Sequence, residues 1–286
     1  MSNDIQSAVP KSDLMPRVIV GVILIAVALG ALRAGGLWFG ALATLASLLM
    51  FAEWSQMHQI GRGKRFVGLV VIGLSCVGAM LELPTYAVQG LLLVAAVWAL
   101  FQDAFRRAGD GLAFGLVYAG LPGIALIWLR EPNGLGVVLW VLLVVWSTDI
   151  LAYFAGRAIG GPKIAPRISP KKTWAGLMGG MIGASAASAA MAFWWFQADF
   201  VRAGGLGDST SFWNPRNAVA MALIGAGLAI VSQAGDFYES WLKRRAGVKD
   251  SGKLLPGHGG VMDRLDGLVP VAVVVALLMA APGWFG

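Results

Sequence analysis

Two pairs of carboxylates frame the most polar stretch of this chain. Asp236 and Glu239 stand three residues apart, and Asp263 and Asp266 repeat that spacing. On a helix, residues at i and i+3 share a face, so each pair presents two carboxylates together. Four carboxylates with water suit a hard cation such as Mg2+. The segment from Ser240 to Asp266 holds six Lys/Arg, three Asp and one His. Lys243, Arg244, Lys249, Lys253 and Arg264 are donors for phosphate oxygens, Arg as a planar fork and Lys as a point charge. Gly257, Gly259 and Gly260 flank His258, and glycines let backbone N–H groups approach an anion closely. The simpler reading is a solvated basic loop held by anionic lipid. Such a loop does not need carboxylates and glycines at fixed offsets, so His258 and its neighbours are read here as functional.

A second constellation is Ile168-Ser169-Pro170-Lys171-Lys172-Thr173-Trp174. Pro170 favours a turn, and Ser169 and Thr173 are natural caps for a following helix. A helix N-terminus beside Lys171 and Lys172 is an anion site. A third is Asp149, which falls inside an apolar run. An ionised Asp at mid-bilayer costs roughly 2.5–3.5 kcal/mol, so a bundle-facing or wet position is expected. Tyr153 and Arg157 follow on the same face, which predicts a buried polar stripe lining the site. Glu53, at the end of an earlier run, is read as structural.

The rest of the chain must position these groups within a bilayer. Of 286 residues, 58% are hydrophobic and 13% charged, about half the charge of a soluble domain (roughly 25%). Apolar runs fall near 17–34, 36–54, 66–82, 85–101, 111–129, 134–156, 174–197, 217–234 and 267–283. Each approaches the roughly 17–25 residues a helix needs to cross hydrocarbon. The predicted architecture is an all-α integral membrane protein, a polytopic helical bundle of about nine transmembrane helices. Residues 1–16 are expected to form a disordered cytoplasmic tail and 17–286 a single membrane domain, with the site in 140–267.

With the N-terminus inside, 18 of the 22 Lys/Arg fall on one side of nine spans. That asymmetry predicts a cytoplasmic face for every basic loop. It also accounts for the net charge of +7 without nucleic acid as a partner. The expected location is a bacterial inner membrane, with the site facing the cytoplasm. Cys76, the single cysteine, is a packing residue and excludes an intrachain disulfide. Gly176, Gly179, Gly180 and Gly183 have the small-xxx-small spacing that lets helices approach closely.

The charged block resembles the signature of the phosphatidate cytidylyltransferases, or CDP-diacylglycerol synthases. The matching residues are Ser240, Leu242, Lys243, Arg244, Lys249, Asp250, Gly252, Pro256, His258, Gly259, Gly260, Asp263, Arg264 and Asp266. The segments Ser169–Thr173, Asp149–Arg157 and Gly235–Asp236 are similar to that family as well. The resemblance implies an enzyme that joins CTP to phosphatidate in the surrounding membrane lipid, releasing pyrophosphate. It implies Mg2+ as cofactor, with a second, monovalent cation as an option, and leaves a homodimer open.

On that reading Asp236 and Asp263 hold the metal, with Asp266 and Glu239 completing the acidic cluster. Lys171, Lys172, Lys243, Arg244, Lys249 and Arg264 bind phosphate, Ser169, Thr173, Asp149 and Arg157 line the substrate site, and Asp250 orients the basic groups. The backbone from His258 through Gly259 to Gly260 cradles a phosphate. Two alternatives stay open on the residues alone. A CTP-dependent lipid-alcohol kinase would use the same cations and metal. An ion-coupled transporter would use Asp149 as its intramembrane site.

Overall fold

The computed structural model describes residues 14–83, 90–92, 94–99, 111–202, 215–252, 254 and 259–281. The elements run α1 (Leu14–Ala34), α2 (Gly36–Met57), α3 (Arg62–Met80), α4 (Gly90–Ala99), α5 (Leu112–Ala158), β1 (Lys163–Ala165), β2 (Ser169–Thr173), α6 (Trp174–Arg202), α7 (Ala218–Arg245), α8 (Met262–Leu265) and α9 (Leu268–Ala280). A short 3-10 turn, Pro215–Asn217, leads into α7. Among the described residues, six stretches are long and apolar enough to cross a membrane: Gly36–Met57, Arg62–Met80, Leu112–Glu131, Gly134–Ala158, Trp174–Trp195 and Pro215–Arg245. Three of the predicted runs coincide with shorter apolar helices, Ile19–Ala34, Gly90–Ala99 and Leu268–Ala280. The expected tail falls, up to residue 13, outside the described residues.

The fifth and sixth predicted spans are two halves of α5, joined at Gly134. Its φ of 72° lies in the left-handed region that glycine adopts without strain. The interior holds two apolar cores. Val138, Val141, Val144, Ala184, Leu228 and Val271 form one among α5, α6, α7 and α9. Phe51, Trp54, Ile72, Cys76, Leu116 and Met262 form a second among α2, α3, α5 and α8. Cys76 is buried there as a packing residue.

The glycine spacing in α6 does what it predicts. A side chain at Gly176, Gly180 or Gly183 would come within about 3 Å of the α5 carbonyls of Ala152, Thr148 and Ser147 respectively. In lipid, where apolar burial offers helices no drive to associate, such backbone approach supplies dispersion contact.

One departure from an all-helical chain sits between α5 and α6. Residues 163–173 form a two-stranded antiparallel hairpin, with Lys163 opposite Thr173 and Ala165 opposite Ser169. The cap at Thr173 is as expected, since its Oγ1 accepts from the Gly176 N–H at 3.1 Å. Ser169 does not cap α6, because it lies at the start of β2, a full strand away.

Candidate active site

The acidic and basic groups meet at the end of the bundle where α7 finishes. The predicted eighth run stops at residue 234, but α7 continues unbroken to Arg245. Asp236, Glu239, Ser240 and Lys243 therefore follow one another along a single helical face. Lys243 Nζ donates to Glu239 Oε2 at 3.2 Å and to Asp263 Oδ1 at 2.5 Å. One ammonium thus serves a carboxylate from each predicted pair. Lys172 Nζ, on β2, forms an ion pair of 2.5 Å with Asp236 Oδ2 and stands 4.5 Å over the Phe237 ring. Ser240 Oγ donates to Asp236 Oδ1 at 3.3 Å.

Asp263 lies on the single turn of α8. Its Oδ2 accepts from the Gly260 N–H (2.8 Å), the Ser251 N–H (2.9 Å) and Ser251 Oγ (3.0 Å). Burial pushes the Asp263 carboxyl up, but Lys243 and the two backbone N–H groups outweigh it and hold it below its ordinary value. Asp266 is the opposite case. Burial and the charges of Asp236 and Glu239 push its carboxyl well above the usual range, against the Gly267 N–H that donates to it at 2.7 Å. Two Asp three residues apart are thus poised in opposite directions by their surroundings.

Gly235 makes this arrangement possible. A Cβ there would collide with the Asp266 carbonyl and stand 2.6 Å from Pro270 Cγ. Only glycine lets the chain entering α9 lie against α7, and that contact brings Asp266 beside Asp236.

Among the described residues, no group of three or more Asp, Glu, His or Cys side chains is already gathered as a metal site. Lys172 and Lys243 occupy the carboxylates instead. The donor chemistry nevertheless suits a cation. Glu239 is fully buried, and its Oε1 faces no donor. The charges of Glu239 and Asp236 act on Asp266. Carboxylates gathered in this way favour a proton or a cation among them.

The remaining candidates divide. Asp149 is exposed on α5 and feels the charges of Asp236, Lys172 and Arg264, so it borders the site. Arg157 Nη1 donates to Tyr153 Oη at 2.8 Å, but both residues are exposed. The predicted polar stripe exists and is not buried, because this face of α5 turns away from the packed helices. Lys171, Arg244, Lys249, Asp250 and Arg264 are exposed, and Ser169 is half-buried. Arg244 reaches the Val248 carbonyl at 3.3 Å. Gly259 takes a φ of 81°, which only glycine holds readily, and a Cβ there would stand 2.8 Å from Asp263 Oδ2. His258, Lys253, Pro256 and Gly257 lie outside the described residues.

Two site neighbours carry no motif that would reveal them. Ser251 bridges Glu53 Oε2 and Asp263 Oδ2, at 3.0 Å from each. Tyr118 Oη is buried without a hydrogen-bond partner among the charges of Glu239, Asp266 and Asp236. Glu53 did carry a signal, because a carboxylate inside an apolar run must be compensated.

Comparison with known proteins identifies the family. The sequence profile described as "Cytidylyltransferase family" matches residues 15–281. A Brucella abortus protein named phosphatidate cytidylyltransferase is 40% identical over 281 residues, covering 94% of each chain. A Pseudomonas aeruginosa protein of the same name is 34% identical over 295 residues, covering 95% of this chain and 98% of its own. A Rickettsia bellii protein of that name is 30% identical over 213 residues, covering 73% and 86%. The match takes in both cores and the whole charged site, and the chain is a membrane enzyme of the cytidylyltransferase family.

Proposed function

We propose that this chain transfers the cytidylyl group of CTP to phosphatidate, giving CDP-diacylglycerol and pyrophosphate. The observation that carries the reading is the placement of Lys172 and Lys243 on Asp236, Glu239 and Asp263, within a family whose similar members bear that activity in their names. Two polyanions must meet, and their repulsion has to be cancelled before a phosphate oxygen can attack phosphorus.

The chain's own groups account for that requirement. Lys172 and Lys243 neutralise carboxylates in this arrangement and are the ammonium groups placed to meet phosphate oxygens. Exposed Lys171, Lys249 and Arg264 widen the field around them. Asp236, Glu239, Asp263 and Asp266 are the residues that would hold Mg2+, which when bound supplies charge neutralisation on the phosphates. The lipid phosphate is itself the nucleophile. Its oxygen forms a bond to the α-phosphorus, and the bond from that phosphorus to the β-phosphate oxygen breaks, with pyrophosphate taking the electron pair. Such a step relies on positioning and charge, so no protein nucleophile is required.

The site lies at a helix end, so a lipid headgroup can reach it while its acyl chains stay between the helices. That face is read as cytoplasmic from the distribution of basic residues, which gives it access to CTP. The test is direct. Purified protein in detergent is given phosphatidate, Mg2+ and CTP labelled at the α-phosphate, with Asp263→Ala beside it. Label entering the lipid fraction with wild type alone supports the reading. Folded wild type that leaves the lipid unlabelled, while labelling a lipid alcohol from γ-labelled CTP, would replace it with a kinase.

A further inference from the structure

Glu53 is the only charged residue in α2, and it is 1% exposed. Its carboxylate is directed at the charged segment some two hundred residues later. Oε1 accepts from the Val261 N–H at 2.8 Å. Oε2 accepts from the Met262 N–H at 2.9 Å and from Ser251 Oγ at 3.0 Å. Gly252 and Gly260 close around it, and a Cβ on either would come within 2.5 Å of a Glu53 carboxylate oxygen.

These contacts bear on Asp263. Val261 and Met262 open α8, which has no side-chain cap of its own. The first N–H groups of a helix lack intrahelical acceptors. Glu53 supplies them from another helix and so fixes where α8 starts. The same backbone, at Ser251 and Gly260, donates to Asp263 Oδ2. Ser251 Oγ stands between the two carboxylates with a single proton to offer. Glu53 and Asp263 thus grip one loop from opposite sides, and Asp263 in turn holds Lys243.

We propose that Glu53 is a positioning residue for Asp263 and Lys243. It anchors residues 251 and 260–262 to α2, so the N-terminal half of the chain sets the geometry of the C-terminal site. This inference rests on the reading of Asp263 and Lys243 as part of the transfer site. It goes beyond that reading by adding a residue from outside the family-like block.

The test uses full-length Glu53→Gln in detergent, with Glu53→Asp as the second variant should the first not fold. Gln preserves volume but replaces one acceptor oxygen with an NH2 group that cannot accept. Three readouts are taken: helix content with thermal midpoint, steady-state kinetics, and backbone amide exchange. The expected result is a folded variant with kcat down tenfold or more and KM for CTP within twofold. Exchange at 251 and 260–262 rises tenfold or more, while α5 and α6 exchange as in wild type. Wild-type kcat and wild-type exchange in a folded variant would overturn the proposal. So would an activity loss that tracks the folded fraction, with exchange raised evenly through all helices. If wild type itself transfers no label, the proposed function fails, and the exchange data alone decide this inference. Acceleration confined to 251 and 260–262 upholds the anchoring, and its absence sinks it.

Discussion

Lys172 and Asp236 form a 2.5 Å ion pair that ties the hairpin strand β2 to helix α7. The two residues come from separate segments of the charged architecture, and the contact places an ammonium over the acidic face before any substrate arrives. Lys172→Met removes that ammonium while keeping an apolar stem over Phe237. Its expected effect is a fall in kcat/KM for CTP of about 100-fold, or about 2.7 kcal/mol of transition-state stabilisation. Lys172→Arg should retain part of the activity. Incorporation of α-label into lipid measures both.

Lys243 bridges Glu239 and Asp263, with its side chain 12% exposed and that of Glu239 fully buried. Removing one partner of a buried pair leaves an uncompensated charge, at a cost of about 3–5 kcal/mol. Lys243→Ala should therefore lower the thermal midpoint in detergent as well as abolish activity. Lys243→Ala combined with Glu239→Gln should recover part of the midpoint and none of the activity. An unchanged midpoint in the single variant would show that the pair contributes nothing to folding.

Gly235 has no room for a side chain against Asp266 and Pro270. Gly235→Ala forces α9 away from α7, an overpacking expected to cost about 1–3 kcal/mol. Because the displaced residues include Asp266, transfer activity should fall further than stability does. Thermal midpoint and kcat, compared on the same preparation, separate the two effects.

The two Asp of the second pair respond to pH with opposite signs. The Asp263 carboxyl is held below its ordinary value, so its ionisation stabilises the fold. That contribution is present above the unfolded value, near 3.9, and is lost as pH falls through the lower, folded value. Asp266 is raised, so its contribution is present below the unfolded value and is lost as pH rises through the folded one. At neutral pH Asp266→Asn should raise the thermal midpoint, whereas Asp263→Asn should lower it. Thermal scans between about pH 2 and pH 8 check the sign of each.

Much of this was legible in the residues. Apolar runs of bilayer length mark the spans because hydrocarbon leaves a backbone no option but internal hydrogen bonding. The pairing of Asp236 with Glu239 and of Asp263 with Asp266 follows from helical periodicity, and the α6 glycines announce a close helix contact. The hairpin at 163–173 was not legible. Ser169-Pro170-Lys171-Lys172 has no alternating apolar pattern, and its strand pairing depends on where α5 ends and α6 begins. The exposure of Tyr153 and Arg157 was also hidden, since periodicity places residues on a common face without saying which way that face turns.

By itself, then, the sequence determined the membrane class, the spacing within each acidic pair, and the set of acidic and basic groups available. Those properties depend on composition and on spacing along one helix, which are local. Only the tertiary structure decided which groups meet: Lys172 with Asp236, Lys243 with Asp263, and Glu53 with the backbone at Val261 and Met262. Each of those contacts joins segments far apart in the chain. Glycines at 252 and 260 leave room for the Glu53 carboxylate, and Gly235 for the backbone at Asp266, at distances a side chain would forbid.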